Sequence, residues 1–293
     1  MGAMDDDLKK VSRIELLYEA EQRRMRECAT QAAAEFIDSV LAIYRSSEAS
    51  ERLPEQIGSC ILLDIDGTPV VATAAHIVDN ITKGATLFVA RPARPQLVPI
   101  VGGDVKATPK PPKGRDYDPS DSAYWQMPDD VVAILGPANF IGASRLAHNR
   151  APKERRYFTA LGYVVERNAD GVDHEHRTIA FVPSMHTSSA VSEPKLTRRL
   201  DSRPDQHIFV RFEKHAQDAD GVEMETFYPE GLSGGALLDL GDFTLYDIYA
   251  GDTKQRARLA GVIIEYHKDR RALVAVNIGP IVTSIRNALS RSS

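Results

Sequence analysis

Short strand-length runs separated by turn signals dominate this chain from residue 57 onward, and no other feature constrains its fold as much. From Ile57 to Val71 the pattern is strand, turn, strand, with Asp66-Gly67 between two apolar runs, a strong hairpin signal. Further strands are expected at Thr86–Ala90, Leu97–Val101, Val131–Leu135, Tyr157–Val164, Thr178–Val182, His207–Phe212, Glu223–Phe227, Ala236–Leu240, Leu259–Tyr266 and Ala272–Val276. No helical pattern alternates with these runs, which argues for antiparallel barrels and against a βαβ sheet. Pro109–Ser122, rich in proline, glycine and charge, reads as a long surface loop.

The two ends differ from this middle. Ile14, Leu17, Met25, Cys28, Ala32, Phe36, Val40 and Tyr44 recur at roughly helical spacing without an intervening proline, so residues 8–47 predict one long helix or two shorter ones. Ser46–Ser50 then ends the helical stretch. At the other end Ile281, Ile285 and Leu289 predict a helix over Pro280–Ser290.

Composition narrows the function classes. Hydrophobic residues make up 43% of the 293, enough for a sizeable core, and the net charge of −5 gives no general attraction to nucleic acid or an anionic membrane. Lys153-Glu154-Arg155-Arg156 and Arg198-Arg199 read as solvated surface. The two cysteines, Cys28 and Cys60, suit a reducing compartment better than a disulfide framework. Met1–Asp7 lacks the pattern of a signal peptide, and no apolar run approaches the ~20 residues of a membrane span. A soluble, cytoplasmic protein is expected. Asp173-His174-Glu175-His176 has metal-ligand residue types but sits in a polar turn without a further ligand, so neither a metal nor another cofactor is expected.

Three segments carry chemistry. Gly231-Leu232-Ser233-Gly234-Gly235 places a serine in a tight turn of small residues where backbone N–H groups can converge on an oxyanion. Val70–Val78 is an apolar run that delivers His76 at its end, and Asp129-Asp130 opens the run Val131–Leu135. Each alone fits a bland reading: a turn, a core histidine, an acidic turn before a strand. In the order His, Asp, Ser they are the base, orienting carboxylate and nucleophile of a triad.

On these three motifs, residues 55–280 resemble the trypsin-like (chymotrypsin-fold) serine peptidases. α/β-Hydrolases and subtilisins carry their triads in other chain orders. The resemblance implies two antiparallel six-stranded β-barrels at 51–140 and 157–277, joined by a linker at 141–156. An N-terminal helical extension at 1–50 and a C-terminal helix at 278–293 complete the expected domains. It further implies His76 as general base, Asp130 as its orienting acid with Asp129 as runner-up, Ser233 as nucleophile, and the N–H groups of Gly231 and Ser233 as oxyanion hole. Phe227 would floor the specificity pocket, and Ile263 and Ile264 would wall it, giving a preference for an apolar side chain. Glu265, turned inward, would reverse that preference toward a basic one. Leu232 stands where digestive members carry an aspartate, so activation by a freed N-terminus is not expected. Leu240–Arg258 is long for the family and fits a regulatory loop or a tolerated insertion. The expected substrate is a protein or peptide, and the N-terminal helix is either packed structure or the dock of a regulatory partner. The alternative function is a catalytically silent domain of this fold used as a binding module.

Overall fold

In the structure, a computed structural model, residues 13–47, 54–81, 84–91, 94–147, 156–168, 172–173, 178–201, 205–217, 221–243 and 257–292 are described. Helix α1 (Arg13–Phe36) leads into a seven-stranded antiparallel sheet. Its strands are β1 (Val40–Ser47), β2 (Glu55–Ile65), β3 (Thr68–Ala74), β4 (Ala85–Arg91), β5 (Arg94–Pro99), β6 (Asp104–Ala107) and β7 (Ser122–Gln126). They lie in the order β5-β4-β1-β2-β3-β7-β6. The second half begins with β8 (Tyr157–Tyr163) and a two-stranded ribbon of β9 (Val172–Asp173) and β10 (Thr178–Ile179). It continues through β11 (Pro183–Ser189), β12 (His207–Arg211), a second ribbon of β13 (His215–Gln217) and β14 (Glu223–Glu225), then β15 (Ala236–Gly241), β16 (Arg258–His267) and β17 (Ala272–Asn277). Its sheet runs β11-β8-β15-β16-β17-β12. A bridge from Ala190 to Val210, with the Val191 N–H donating to the Phe209 carbonyl at 2.9 Å, joins the two edges and closes six strands into a barrel. A mainly β protein of two curled antiparallel sheets is thus what forms, with seven strands in the first where six were expected.

Two elements depart from expectation. Helical spacing continues through Tyr44, yet α1 stops at Phe36 and residues 40–47 form a strand between β2 and β4. Val40, Leu41, Ala42, Ile43 and Tyr44 are all buried, so both strand faces are covered and the run shows no alternation that would mark it. The first barrel therefore starts ahead of residue 51. The second departure is Val131–Leu135, which belongs to a helix, Asp129–Leu135, not a strand. Val131, Val132 and Leu135 are buried while Ile134 is exposed, a helical face and not a two-residue period.

The linker threads both halves. Ile141 bridges Leu63 of β2 and Leu146 bridges Leu259 of β16. Helix α1 packs on the barrels through Cys28, Ala29, Ala32 and Phe36; fully burying a residue such as Phe36 contributes about 1.5–3 kcal/mol. The C-terminal helix (Ile278–Ser292) buries Ile278, Ile281, Val282 and Ile285, and its Arg286 forms a forked pair with Asp66 of the β2–β3 turn at 2.7 and 2.8 Å. Cys28 and Cys60 are both buried, and neither is in a disulfide. Among the described residues no helix is long and apolar enough to cross a membrane. His174, Glu175 and His176 of the stretch read as a polar turn without a metal, and most of the long 240–258 segment, residues 244–256, lie outside the described residues.

Candidate active site

His76 stands in the short helix α2 (Ala75–Val78) that follows directly on β3, whose last residues are fully buried. β3 pairs antiparallel with β7, with Ala74 opposite Ser122. Continuing that register by one residue sets Asp121 opposite Ala75 and beside His76. There Asp121 forms a threefold clasp. Its Oδ2 accepts from His76 Nδ1 at 2.7 Å, its Oδ1 accepts from the His76 backbone N–H at 3.0 Å, and its carbonyl accepts from the Ala75 N–H at 2.9 Å. Burial pushes the Asp121 carboxyl above the usual carboxylate range, the His76 hydrogen bonds pull against that, and nearby Asp118 adds to the rise. The partner of His76 is therefore Asp121, and not the expected Asp130. Asp129 and Asp130 are exposed in the first turn of their helix, where acidic side chains favour the positive end of its dipole.

The Gly231–Gly235 turn is fixed from within. Leu232 N–H donates to Pro229 O at 3.0 Å, Gly234 N–H to Ile263 O at 2.7 Å and Gly235 N–H to Leu232 O at 2.9 Å. The N–H groups of Gly231 and Ser233, on either side of Leu232, have no acceptor among the described residues. The Leu232 side chain is buried in the core of the second barrel, filling the place where a charged residue would need a partner. Gly231 has φ +91°, and a Cβ there would press on Tyr163 O at 2.8 Å. At Gly234, φ +83°, a Cβ would overlap the Ser59 carbonyl and the Thr73 hydroxyl. Both positions need glycine.

Ser59 joins this turn to the histidine segment. Its N–H donates to Ser233 O at 2.8 Å, its hydroxyl donates to Gly231 O at 2.9 Å and accepts from Tyr163 N–H at 2.9 Å, and its carbonyl accepts from Thr73 Oγ1 at 2.7 Å. Thr73 lies three residues before His76 on β3. Gly58 completes the approach: a Cβ there would overlap Ile77 Cδ1 and sit 3.0 Å from Ser233 O. His76 and Ser233 are thus carried by segments packed on the same two residues of β2. The Ser233 hydroxyl itself donates to Ile264 O at 3.3 Å and makes no hydrogen bond to His76.

An open cleft of about 960 Å³ reaches Pro229, two residues before the turn, and is lined by Phe212, Phe227, Tyr228 and Tyr266 together with charged residues of both signs; none of Gly231–Gly235, His76 or Asp121 lines it. Phe212 meets Phe227 and Tyr266 edge-on, with ring centroids 5.6 and 5.2 Å apart. Of the expected pocket residues, Phe227 lines this cleft. Ile263 and Ile264 do not: they are buried in the two cores, and the strand turns Tyr266 toward the cleft beyond a bulge between Ile263 and Glu265. Burial pushes the Glu265 carboxyl up, but hydrogen bonds from His267 at 2.8 Å and Arg199 at 2.6 Å outweigh it and hold the group below its usual range. Asp121 and Ser59 escaped the sequence reading. Asp121 lay inside a stretch read as solvated loop, and a lone serine within a strand pattern carries no signal.

No protein-family model and no curated protein matches this chain. Among solved structures it is similar to the HtrA-type protease AlgW with tripeptide, at 14% identity and a TM-score of 0.48, over 89% of this chain and 63% of that one. It is also similar to the serine protease domain of the Sesbania Mosaic Virus polyprotein, at 13% identity and a TM-score of 0.45, over 84% of this chain and 91% of that one. The chain spans less than two thirds of AlgW. Likeness at this level says nothing of chemistry, which rests on the geometry above.

Proposed function

We propose that the protein is a serine endopeptidase that cleaves protein or peptide chains through an acyl-enzyme, with Ser233 as nucleophile, His76 as base and Asp121 as orienting acid. The observation that carries this is the clasp of Asp121 on His76. By accepting from Nδ1 it fixes the tautomer that leaves Nε2 as an acceptor. In this reading the Ser233 hydroxyl exchanges its hydrogen bond to Ile264 O for one to that nitrogen.

In the reaction Nε2 takes the hydroxyl proton as Ser233 Oγ bonds to the substrate carbonyl carbon. The carbonyl oxygen, now negative, is received by the free N–H groups of Gly231 and Ser233, where removal of one such donor typically costs ~10²–10³ in rate. The imidazolium then passes its proton to the leaving amine as the C–N bond breaks. Water repeats the sequence, its proton going to Nε2 and its oxygen to the acyl carbon, and the proton returns to Ser233 Oγ as its bond to the acyl carbon breaks. The cleft that reaches Pro229, walled by aromatic rings, favours an apolar side chain before the cleaved bond. Glu265 is held by Arg199 and His267, which argues against a basic preference. Two buried cysteines, neither in a disulfide, suit a cytoplasmic site of action.

The Ser233–Ile264 hydrogen bond favours one second reading, a catalytically silent domain of the same fold. A fluorophosphonate probe separates the two. The peptidase reading expects a single adduct, located by mass spectrometry on Ser233 and lost in Ser233→Ala. An adduct on another serine, or none at all, refutes it. Profiling on a diverse peptide library tests the cleft: dominant cuts after Lys or Arg would overturn the apolar preference.

A further inference from the structure

The loop between β6 and β7, read from sequence as solvated, is organised around one cation. Arg115 lies in a short turn (Arg115–Tyr117) with its side chain only 11% exposed. Its Nε and Nη2 grip the Asp79 carboxylate at 3.0 and 2.8 Å, while Nη1 reaches Asp118 Oδ2 at 2.7 Å and the Thr108 carbonyl at 2.8 Å. Asp118, itself buried, also accepts from Thr108 Oγ1 at 2.6 Å and from the Ser120 N–H at 3.0 Å. Asp79 caps α2, three residues after His76; Asp118 lies three residues before Asp121.

We propose that Arg115 is a positioning residue for the His76–Asp121 pair, clamping the two segments that carry them and cancelling the negative charge gathered around the imidazole. The inference rests on the peptidase reading for its purpose, but not for its geometry. Three carboxylates, Asp79, Asp118 and Asp121, surround this segment, and beside Arg115 the facing cation is Lys110, 3.9 Å from Asp79 and itself exposed. From the second barrel Gln206 donates to Pro119 O and Ser120 Oγ, each at 3.2 Å, and His207 bonds the Pro119 carbonyl. Glu265, an acid on that side whose charge acts on His207, is held by Arg199 and His267. Among the described residues, the cation whose side chain bonds both segments of the pair is Arg115. The Arg115 guanidinium holds the Asp79 carboxyl below its usual range, as expected of a forked ion pair sheltered from water.

The test follows the His76 ring by NMR on histidine-labelled protein, beside the rate of fluorophosphonate labelling, in folded variants checked by circular dichroism. Arg115→Ala leaves the carboxylates uncancelled, so the His76 titration should move to higher pH by roughly half a unit or more. Labelling at neutral pH should fall by about tenfold or more, by the cost of misplacing a reacting group. Asp79→Asn removes one carboxylate and should move the titration the opposite way. Arg115→Lys keeps the charge but not the fork. It should leave the titration in place while slowing labelling, and it carries the test with Asp79→Asn if Arg115→Ala does not fold. Shifts of the same sign in Arg115→Ala and Asp79→Asn, or no shift in either, overturn the inference. Absence of labelling in the unsubstituted protein would sink the peptidase reading instead, and the NMR titration would still decide this one.

Discussion

Replacing Asp121 by asparagine separates catalysis from stability more sharply than any other single change. The two oxygens of Asp121 do different work: Oδ1 accepts from the His76 backbone N–H at 3.0 Å and Oδ2 from the ring Nδ1 at 2.7 Å. Asparagine can keep the first bond only by placing its oxygen on the backbone N–H. Its NH2 group then faces Nδ1 as a donor. That forces the ring proton onto Nε2, the nitrogen that must receive the Ser233 proton. In the serine-protease triad the same exchange costs ~10⁴ in rate while the geometry survives, and a loss of that order is expected here. Stability should respond the other way. Burial raises the folded-state pKa of Asp121, so the stability it lends is fully present only below an ordinary value of about 3.9 and is lost as pH rises through the raised one. At neutral pH the ionised carboxylate is therefore a net cost to the fold, and Asp121→Asn should melt at the same temperature or higher. The assay is fluorophosphonate labelling at neutral pH beside a thermal melt, with Asp130→Asn as control. Labelling of Asp121→Asn at the unsubstituted rate, or a dead Asp130→Asn, would refute the reasoning.

Ser59→Ala leaves the Tyr163 N–H and Gly231 O without their shared partner in a buried site, so unfolding free energy should drop by about 1–3 kcal/mol and labelling should slow as the turn relaxes; denaturant titration checks the first and a labelling time course the second. His186, buried against Phe212 with Nε2 on Arg211 O, has its pKa pushed down to about 4 by burial. Its neutral form thus lends stability that is present above the ordinary value and lost as pH falls from about 6.5 to about 4, amounting to about 3 kcal/mol. Unfolding free energy measured across that window should fall on acidification, and His186→Gln should flatten the slope.

The parts of the site that sequence exposed are those set by local chain chemistry. Asp66-Gly67 predicts a hairpin because both residues must take positive φ, and they do, at 53° and 85°. The Gly231–Gly235 turn is legible for the same reason: small residues there are demanded by backbone that presses on backbone. His76 is legible because an apolar run ends on it. What local chemistry cannot show is which distant residue a strand register brings alongside. The pairing of β3 with β7 selects Asp121 for His76, and nothing within either segment encodes that pairing. Ile263 and Ile264 turn into the cores for a related reason, since a bulge in β16 sets which side chains face the cleft.

The helix at Asp129–Leu135 has local physical causes. Val-Val-Ala-Ile-Leu has strand propensity, but Pro128 precedes it, two aspartates occupy the first turn and Gly136 follows with φ 83°. Those are the start and stop signals of a helix, and the burial of Val131, Val132 and Leu135 with Ala133 and Ile134 exposed has helical and not strand period. In a helix there is no acid-then-strand pattern at Asp130. The nearest alternative upstream is Asp121 before Ser-Ala-Tyr-Trp-Gln, a short run whose Tyr124 and Trp125 favour a strand. The loop ahead of it buries Asp118 and Arg115 because the carboxylate and guanidinium satisfy each other. A charge-rich segment therefore need not be a solvated one, and the surface reading of residues 109–122 hid both the acid and its clamp.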